Sequence, residues 1–529
     1  MSTSPVANGT TASSAQNEPY VPPPFRDLPS LVAEQAERAP QAVALRCGSQ
    51  VMSYAELDVR MHRVAAALQR EGLQPTQAIA ICATSSIDYV AVFFGALRAG
   101  VAVAPLAPSS TATQLADMLR DAEAQLFFTD AATLQALRDG GIDLDSLPRV
   151  LRLDEGIEPW LAPLGARAAP VAIDPAWPFN LIYSSGTTGT PKGIVQPHAM
   201  RWVHIQRASV TGYGPDCVTL IATPLYSNTT LVAVIPTLAV GGCVILMPKF
   251  DAKGYLELAQ AHRATHTMLV PVQYQRLMGH ADFGRYDLSS YRVKLCTSAP
   301  FHAALKTDIL ARWPGALIEY YGMTEGGGTC ILHAHLHPHK LHTVGQPAEG
   351  HDIRLIDEQG REVPRDAKGE AMGEVVGRSG GMMSGYHKQP EKTAEAEWTS
   401  PDGLRFIRTG DVGRFDADGF LTLFDRRKDM IISGGFNIYP SDMEAVLRQH
   451  PDVADAAVIG VPSAEWGETP VACVVLRPGA AADGEAVRQW VNGQVGKTQR
   501  LSALRVMDEL PRSAIGKILK RELRDAWQG

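Results

Sequence analysis

From Leu28 to about Met247, helical stretches alternate with short strands that are apolar almost throughout, and this rhythm constrains the fold most. "AIAICA" (78–83), "DYVAVFFGALRAG" (88–100) and "VAVAPL" (101–106) read as strand, buried helix and strand. A strand without polar alternation is covered on both faces, and strands joined through helices run parallel. "LPSLVAEQAERAP" (28–40) and "SYAELDVRMHRVAAALQREG" (53–72) are expected amphipathic helices, the second opened by a Ser53–Glu56 capping box. The region is α/β.

Around 345–425 the texture changes to strands and turns, as in "DIRLIDEQGREV" (352–363) and "GRFDADGFLTLFDRR" (413–427). After Lys428 it changes again. "YPSDMEAVLRQHP" (439–451) is expected to begin a helix with Ser441 and Glu444 in capping-box spacing, followed by strands "DAAVIGV" and "VACVVL". The expected organisation is an N-terminal tail over 1–24, disordered because it is polar and Pro-rich, a large domain over 25–427 and a compact α+β domain over 428–529. No internal repeat is visible.

Composition excludes several classes. A net charge of −7 argues against a general affinity for nucleic acid. Seven scattered cysteines without a CxxC pair suit reduced thiols in a cytoplasmic protein. The N-terminus has neither the cationic start nor the apolar core of a signal peptide. The longest apolar run, "LVAVIPTLAVGGCVILMP" (231–248), contains Pro236, Thr237 and a Gly241–Gly242 break, so a buried helix, a turn and a buried strand explain it better than a membrane span.

"YSSGTTGTPKGIVQPH" (183–198) is a different kind of segment. Backbone N–H groups of a Gly-rich turn, helped by Ser and Thr hydroxyls and a lysine, can wrap an anion. A Walker loop reads GxxxxGK[ST], whereas here Lys192 is followed by Gly193, so the usual P-loop is disfavoured. Taken alone, the turn serves equally as a flexible connection.

Its companions decide between these readings. "SSGTTGTPKG" (184–193), "TSAP" (297–300), "YYGMTE" (320–325), "VGQP" (344–347), "RTGDVG" (408–413), "DRRKDMIISGGFNIYPSDME" (425–444) and "PRSAIGKILKREL" (511–523) stand in one order along the chain. In that order they resemble the adenylate-forming superfamily of acyl- and aryl-CoA synthetases, luciferases and non-ribosomal adenylation domains. The resemblance implies ATP, Mg²⁺ and CoA, and a fold with a large N-terminal domain of α/β subdomains and a β-rich portion, plus a small mobile C-terminal α+β domain.

It also implies roles. Ser184, Ser185, Gly186, Thr187, Thr188, Gly189 and Lys192 would hold the ATP phosphates, Thr324 the α-phosphate, and Glu325 the metal. Tyr321 and Gly322 would lie against adenine with the Ser298–Ala299–Pro300 backbone, and Asp411 and Arg426 would hold the ribose. Lys517 would bridge carboxylate and phosphate during adenylation. Lys428 would be the hinge of a rotation that brings Gly434 and Gly435 to a narrow thiol-bearing chain. Trp466, Lys497 and Arg500 would meet CoA.

The sequence also departs from the pattern. Ser227 in "TPLYSNTTL" stands where a His or aromatic gate is common, followed by polar Asn228 and Thr229. Spacing relative to aryl-CoA ligases puts Arg207, Met268, Tyr320, Gly327 and Gly328 at acid-pocket positions. Two readings of Arg207 stand open: a partner for a second carboxylate or polar group, or a residue on a solvated helix face, the simpler one. The glycines of 326–328 suggest a roomy pocket or a mobile loop. Leu501 and Ser502 replace a proline and a basic residue on the CoA side, which keeps an amine or a carrier protein open as acceptor. In "HAHLHPHKLH", His333, His335 and His337 would share one face of an extended strand, without a carboxylate or cysteine beside them.

The expected function is ATP-dependent activation of a small carboxylic acid to an acyl-adenylate and transfer to CoA, with amide synthesis or carrier-protein acylation as alternatives. The enzyme is expected to be cytoplasmic, a monomer or homodimer, without membrane insertion or nucleic acid.

Overall fold

The computed structural model describes residues 24–527 except 185–191, 209–210, 366–370, 427–428, 434–435, 464–465, 497–498 and 514–515. The expected tail therefore lies almost wholly outside the described residues.

Among the described residues there are four sheets. The largest runs in the order Gln346–Pro347, Cys330–His333, Ala316–Tyr321, Val293–Cys296, His266–Leu269, Val218–Ile221, Cys243–Leu246, Val43–Cys47, Gln50–Ser53. Its six strands from Ala316–Tyr321 to Val43–Cys47 pair in parallel, and the edges beyond them are antiparallel. A second sheet has the parallel strands Ala78–Cys82, Ala102–Pro105 and Leu126–Thr129 near its centre. It carries the hairpin Pro178–Ser184 and Lys192–Pro197, whose connection is the Gly/Thr loop. One large apolar core fills the space between these sheets, including Val64, Phe93, Phe94, Phe179, Val234 and Met268, all at most 1% exposed. Burial of this kind is the main stabilising term, at roughly 25 cal/mol per Å² of apolar surface.

The helices form as their signals predict. Leu28–Arg38 is capped by Asp27, and Tyr54–Arg70 by the full Ser53–Glu56 box. Asn228–Ala239, with Pro236 inside it, and the strand Cys243–Leu246 account for the long apolar run. No described helix is long and apolar enough to cross a membrane.

A third, antiparallel sheet contains Asp352–Ile356, Met372–Arg378, Arg405–Phe415, Glu397–Thr399 and Leu421–Arg426. The fourth sheet belongs to the C-terminal α+β unit, with Ile431–Ser433 as its first strand and the long pair Val453–Ser463 and Gly467–Leu476 at its centre. The two sheets are separated by 427–430, where the sequence changes texture.

Two local expectations fail. The helix Pro440–Leu447 starts after Tyr439 with Pro440 in its first turn and no side-chain cap. Glu444 turns inward instead: its carboxylate accepts the Val458 N–H at 2.9 Å and pairs with Lys520 at 2.9 Å. The second failure is the histidine run. The strand ends at His333, and turns follow, so His333, His335 and His337 do not line one extended face. His337 instead packs edge-on against Phe420, and no cluster of metal-binding side chains occurs among the described residues.

Candidate active site

Ligands of open α/β sheets bind beyond the carboxyl ends of parallel strands. Here the segments singled out by sequence leave from those ends. Ser227–Thr229 follow the strand Val218–Ile221, Thr297–Pro300 follow Val293–Cys296, and Gly322–Glu325 follow Ala316–Tyr321.

These segments are bonded to one another. The Thr297 hydroxyl donates to the Tyr320 carbonyl at 2.8 Å, and the hydroxyls of Thr229 and Ser298 lie 2.5 Å apart. Ser298 holds a φ of +82°, a conformation a side chain rarely adopts and one that costs about 1–3 kcal/mol. Its neighbours on both sides hold it there.

Tyr321 reaches across to the β-rich sheet. Its hydroxyl donates to Asp411 Oδ2 at 2.8 Å, and burial, then the Asp411 charge, raises its pKa well above the ordinary tyrosine value. The Asp411 N–H donates to the Thr409 hydroxyl at 3.0 Å, and Asp411 stands opposite Arg426 in the strand register. A ring and a carboxylate are thus fixed side by side.

On the phosphate side, Ser185, Gly186, Thr187, Thr188 and Gly189 lie outside the described residues, and so do the side chains of Ser184 and Arg426. What flanks the loop is ordered by contact. Tyr183 donates to Asp121 Oδ2 at 2.6 Å, and its ring covers Gly193, where a Cβ would come within 3.1 Å. The Lys192 ammonium lies 5.0 Å from the centre of the Tyr386 ring, and the Tyr386 hydroxyl donates to Glu325 Oε1 at 2.9 Å. Tyr386 therefore joins Lys192, where the Gly/Thr loop ends, to the Glu325 carboxylate. Thr324 is held through its carbonyl, which accepts from Gln196 Nε2 at 2.6 Å.

Lys517 belongs to the C-terminal unit, yet its loop touches the large domain. A Cβ on Gly516 would come 2.7 Å from Val272 Cγ1, so the loop seats against the segment after the strand His266–Leu269. The loop is clipped shut: Ser513 N–H donates to the Lys517 carbonyl, and Gly516 N–H to the Ser513 carbonyl, both at 2.8 Å. Arg512 donates to the Gly516 carbonyl at 2.6 Å and pairs with Asp455.

The profile of the AMP-binding enzyme family matches residues 32–387, and that of the AMP-binding enzyme C-terminal domain matches 442–517. The chain belongs to the AMP-binding enzyme family. It is 35% identical over 504 residues, 94% of this chain and 98% of the other, to a feruloyl-CoA synthase of Amycolatopsis sp.. It resembles the ATP-bound structure of MatB from Rhodopseudomonas palustris, with a TM-score of 0.83 and 29% identity over 95% of this chain and 99% of the other. Its likeness to the amide bond synthetase McbA from Marinactinospora thermotolerans has a TM-score of 0.81 and 29% identity, over 94% and 100% of the two chains.

In this AMP-binding enzyme the departures from the family pattern have local reasons. Ser227 is the N-cap of the helix Asn228–Ala239, accepting the Thr229 N–H at 3.3 Å. Leu501 is 1% exposed in the C-terminal core, with both backbone groups bonded to Asn492, and Ser502 bonds the Pro470 carbonyl. Gly326 and Gly328 are small because other backbone lies against them: a Cβ would meet the Gly381 carbonyl oxygen at 2.0 Å and Gly377 Cα at 2.9 Å, respectively. At Gly327 a Cβ would come 2.8 Å from the Gly377 carbonyl oxygen. Close packing, rather than room, uses these three glycines. Met268 is fully buried in the main core, and Tyr320 packs against that core. Trp466 is half-exposed and Arg500 exposed; Lys428, Gly434, Gly435 and Lys497 lie outside the described residues.

Sequence reasoning missed Tyr386, Gln196 and Arg201. The last two carried a signal, as polar residues inside the apolar stretch "IVQPHAMRWV". Tyr386 carried none, because its place depends on strand pairing with Ile194.

Proposed function

We propose that this enzyme is an AMP-forming acid–CoA ligase acting on a small carboxylic acid. The carrying observation is the meeting of Ser298, Tyr321, Thr324 and the Gly516–Lys517 loop at the carboxyl ends of one parallel sheet. An acid carboxylate oxygen attacks the α-phosphorus of ATP, and pyrophosphate leaves. The CoA thiol then attacks the acyl carbon, and AMP leaves.

In the first step Tyr321, with Ser298–Pro300, flanks adenine, Asp411 and Arg426 bind the ribose, and Thr324 bonds the α-phosphate. Lys517 carries a positive charge to the point where two anions approach, the kind of placed charge that lowers such barriers most. Glu325, its Oε1 held by Tyr386, is a hard oxygen donor that would suit Mg²⁺, and the ion would supply charge neutralisation for the phosphates there. For the second step we assign the hinge to Lys428, between a large domain over 25–427 and a mobile one over 428–529. Trp466 and Ile432, 51% and 53% exposed, are apolar side chains that the C-terminal unit leaves open to the thiol-bearing chain. Leu501 and Ser502 have packing roles of their own within the C-terminal unit. Seven unbridged cysteines fit a reducing, cytoplasmic setting, and the working unit is a monomer or homodimer.

The test is pyrophosphate release over a panel of aryl, aliphatic and dicarboxylic acids, with and without CoA. A CoA ligase forms the acyl-CoA and AMP in equal amounts. Release indifferent to CoA but raised by amines would favour amide synthesis instead. Lys517→Ala is expected to lower adenylation about 10²–10³-fold while ATP still binds by calorimetry. Unchanged release would remove Lys517 from the mechanism.

A further inference from the structure

Arg201, on the helix His198–Gln206, is 1% exposed, and its guanidinium lies 5.5 Å from the centre of the Phe179 ring. Arg207, just past the end of that helix, is half-buried against His351 and the Glu349 carbonyl, not on a solvated face. Burying a cation is costly, and a carboxylate partner is the usual compensation. None of the described contacts of Arg201 is to a carboxylate. Its Nη1 donates to Asn228 Oδ1 at 2.8 Å, and its Nη2 donates to Asn180 Oδ1 at 3.3 Å and to Gln196 Oε1. Three neutral amides thus surround a charge that an apolar side chain would have avoided.

An amide side chain has one accepting and one donating end, whereas a guanidinium only donates. Each amide therefore turns its oxygen to Arg201. Asn180 does so although its Nδ2 is then buried without a partner among the described residues. For Gln196, which is fully buried, the turn has a consequence beyond the cluster. With Oε1 on Arg201, its Nε2 donates to the Thr324 carbonyl at 2.6 Å and reaches Asn228 Oδ1 at 3.3 Å. The opposite turn would set oxygen against the Thr324 carbonyl oxygen and N–H against the guanidinium, two repulsive contacts at once. Among the described residues the Gln196 bond is the one hydrogen bond that holds Thr324, in the segment that follows the strand Ala316–Tyr321.

We propose that Arg201 is a positioning residue for adenylation that acts through Gln196: its guanidinium fixes the amide, and the amide fixes the Thr324 carbonyl. This rests on the adenylating reading above, in which Thr324 bonds the α-phosphate. Asn180 and Asn228 pin the guanidinium. A donor stabilises a transition state most when it is already in place, with no reorganisation left to make. A hydrophobic residue at 201 would fill the same space and leave the Gln196 amide free to turn.

The test is pyrophosphate release at saturating ATP with the fastest acid of a panel of benzoic, cinnamic, octanoic and octanedioic acids. Arg201→Met is expected to lower kcat about tenfold or more, with the ATP KM within about threefold of wild type. Arg201→Lys keeps the charge with fewer donors and should recover part of the loss. Gln196→Glu separates positioning from packing, and it does so even if Arg201→Met fails to fold. Its carboxylate pairs with Arg201, so the thermal midpoint should hold or rise. It has no N–H for the Thr324 carbonyl, so kcat should still fall about tenfold. In a Gln196→Leu background, Arg201→Met should lower kcat by less than about twofold more, because the two residues act as one unit. Additive losses, a wild-type kcat in Gln196→Glu, or a fall in its midpoint along with its kcat overturn this inference and leave adenylation standing. No release by the wild type with any acid overturns the adenylating reading and this inference with it.

Discussion

At the scale of single residues, the site is built from side chains that each join two segments. Tyr386 is the clearest case, with its ring beside Lys192 and its hydroxyl on Glu325. Tyr386→Phe keeps the ring and removes one hydrogen bond to a charged group, worth about 1.5–3 kcal/mol. The expected result is a fall in kcat of roughly ten- to a hundredfold, partly recovered by raising Mg²⁺, since Glu325 would lose its orientation before its charge. A rate within twofold of wild type would show that Tyr386 only packs. What sequence offered at this scale was a set of candidate residues in their motifs. It did not reveal what orients them. Thr324 was legible, but the Gln196 amide that holds its carbonyl and the Arg201 guanidinium that contacts the same Gln196 became visible only once strand and helix were folded together.

At the scale of elements, the alternation of apolar strands and amphipathic helices was fully readable, because burial on both faces leaves its mark on every residue of a strand. The Ser53–Glu56 box was readable for the same local reason. The Ser441 cap failed because a tertiary demand took Glu444 away, to Lys520 and the Val458 amide. Another buried charge fixes the strand that ends in Tyr320–Tyr321. Lys306, 1% exposed, pairs with Glu319 and donates to the Leu341 carbonyl at 2.8 Å. Lys306→Met strands the Glu319 carboxylate, and breaking such a pair costs about 3–5 kcal/mol. Denaturant melts should show that loss, and the double variant Lys306→Met with Glu319→Leu should regain most of it. If single and double variants were equally unstable, the carbonyl contacts of Lys306 would matter more than the charge pair.

At the scale of the whole molecule, the question is how the loop that carries Lys517 meets the large domain. The motif order singled out Lys517; it could not say where the loop rests, because that depends on a surface some 240 residues away in sequence. The structure seats Gly516 on Val272, with a φ of +76° and no space for a Cβ. A side chain there strains the loop through its φ in any arrangement, and where the loop sits on Val272 it also presses the two domains apart. Gly516→Ala is therefore expected to slow the adenylating half-reaction about tenfold or more, a barrier increase of about 1.4 kcal/mol per factor of ten. If the domains rotate about Lys428 as proposed, this contact is released for thioester formation, which from a supplied acyl-adenylate should stay within about twofold of wild type. Measuring the two half-reactions separately decides the matter. If both slow together, the strain of the loop itself, present in every arrangement, outweighs the Val272 contact; if only the first slows, Gly516 is the point at which packing times the chemistry.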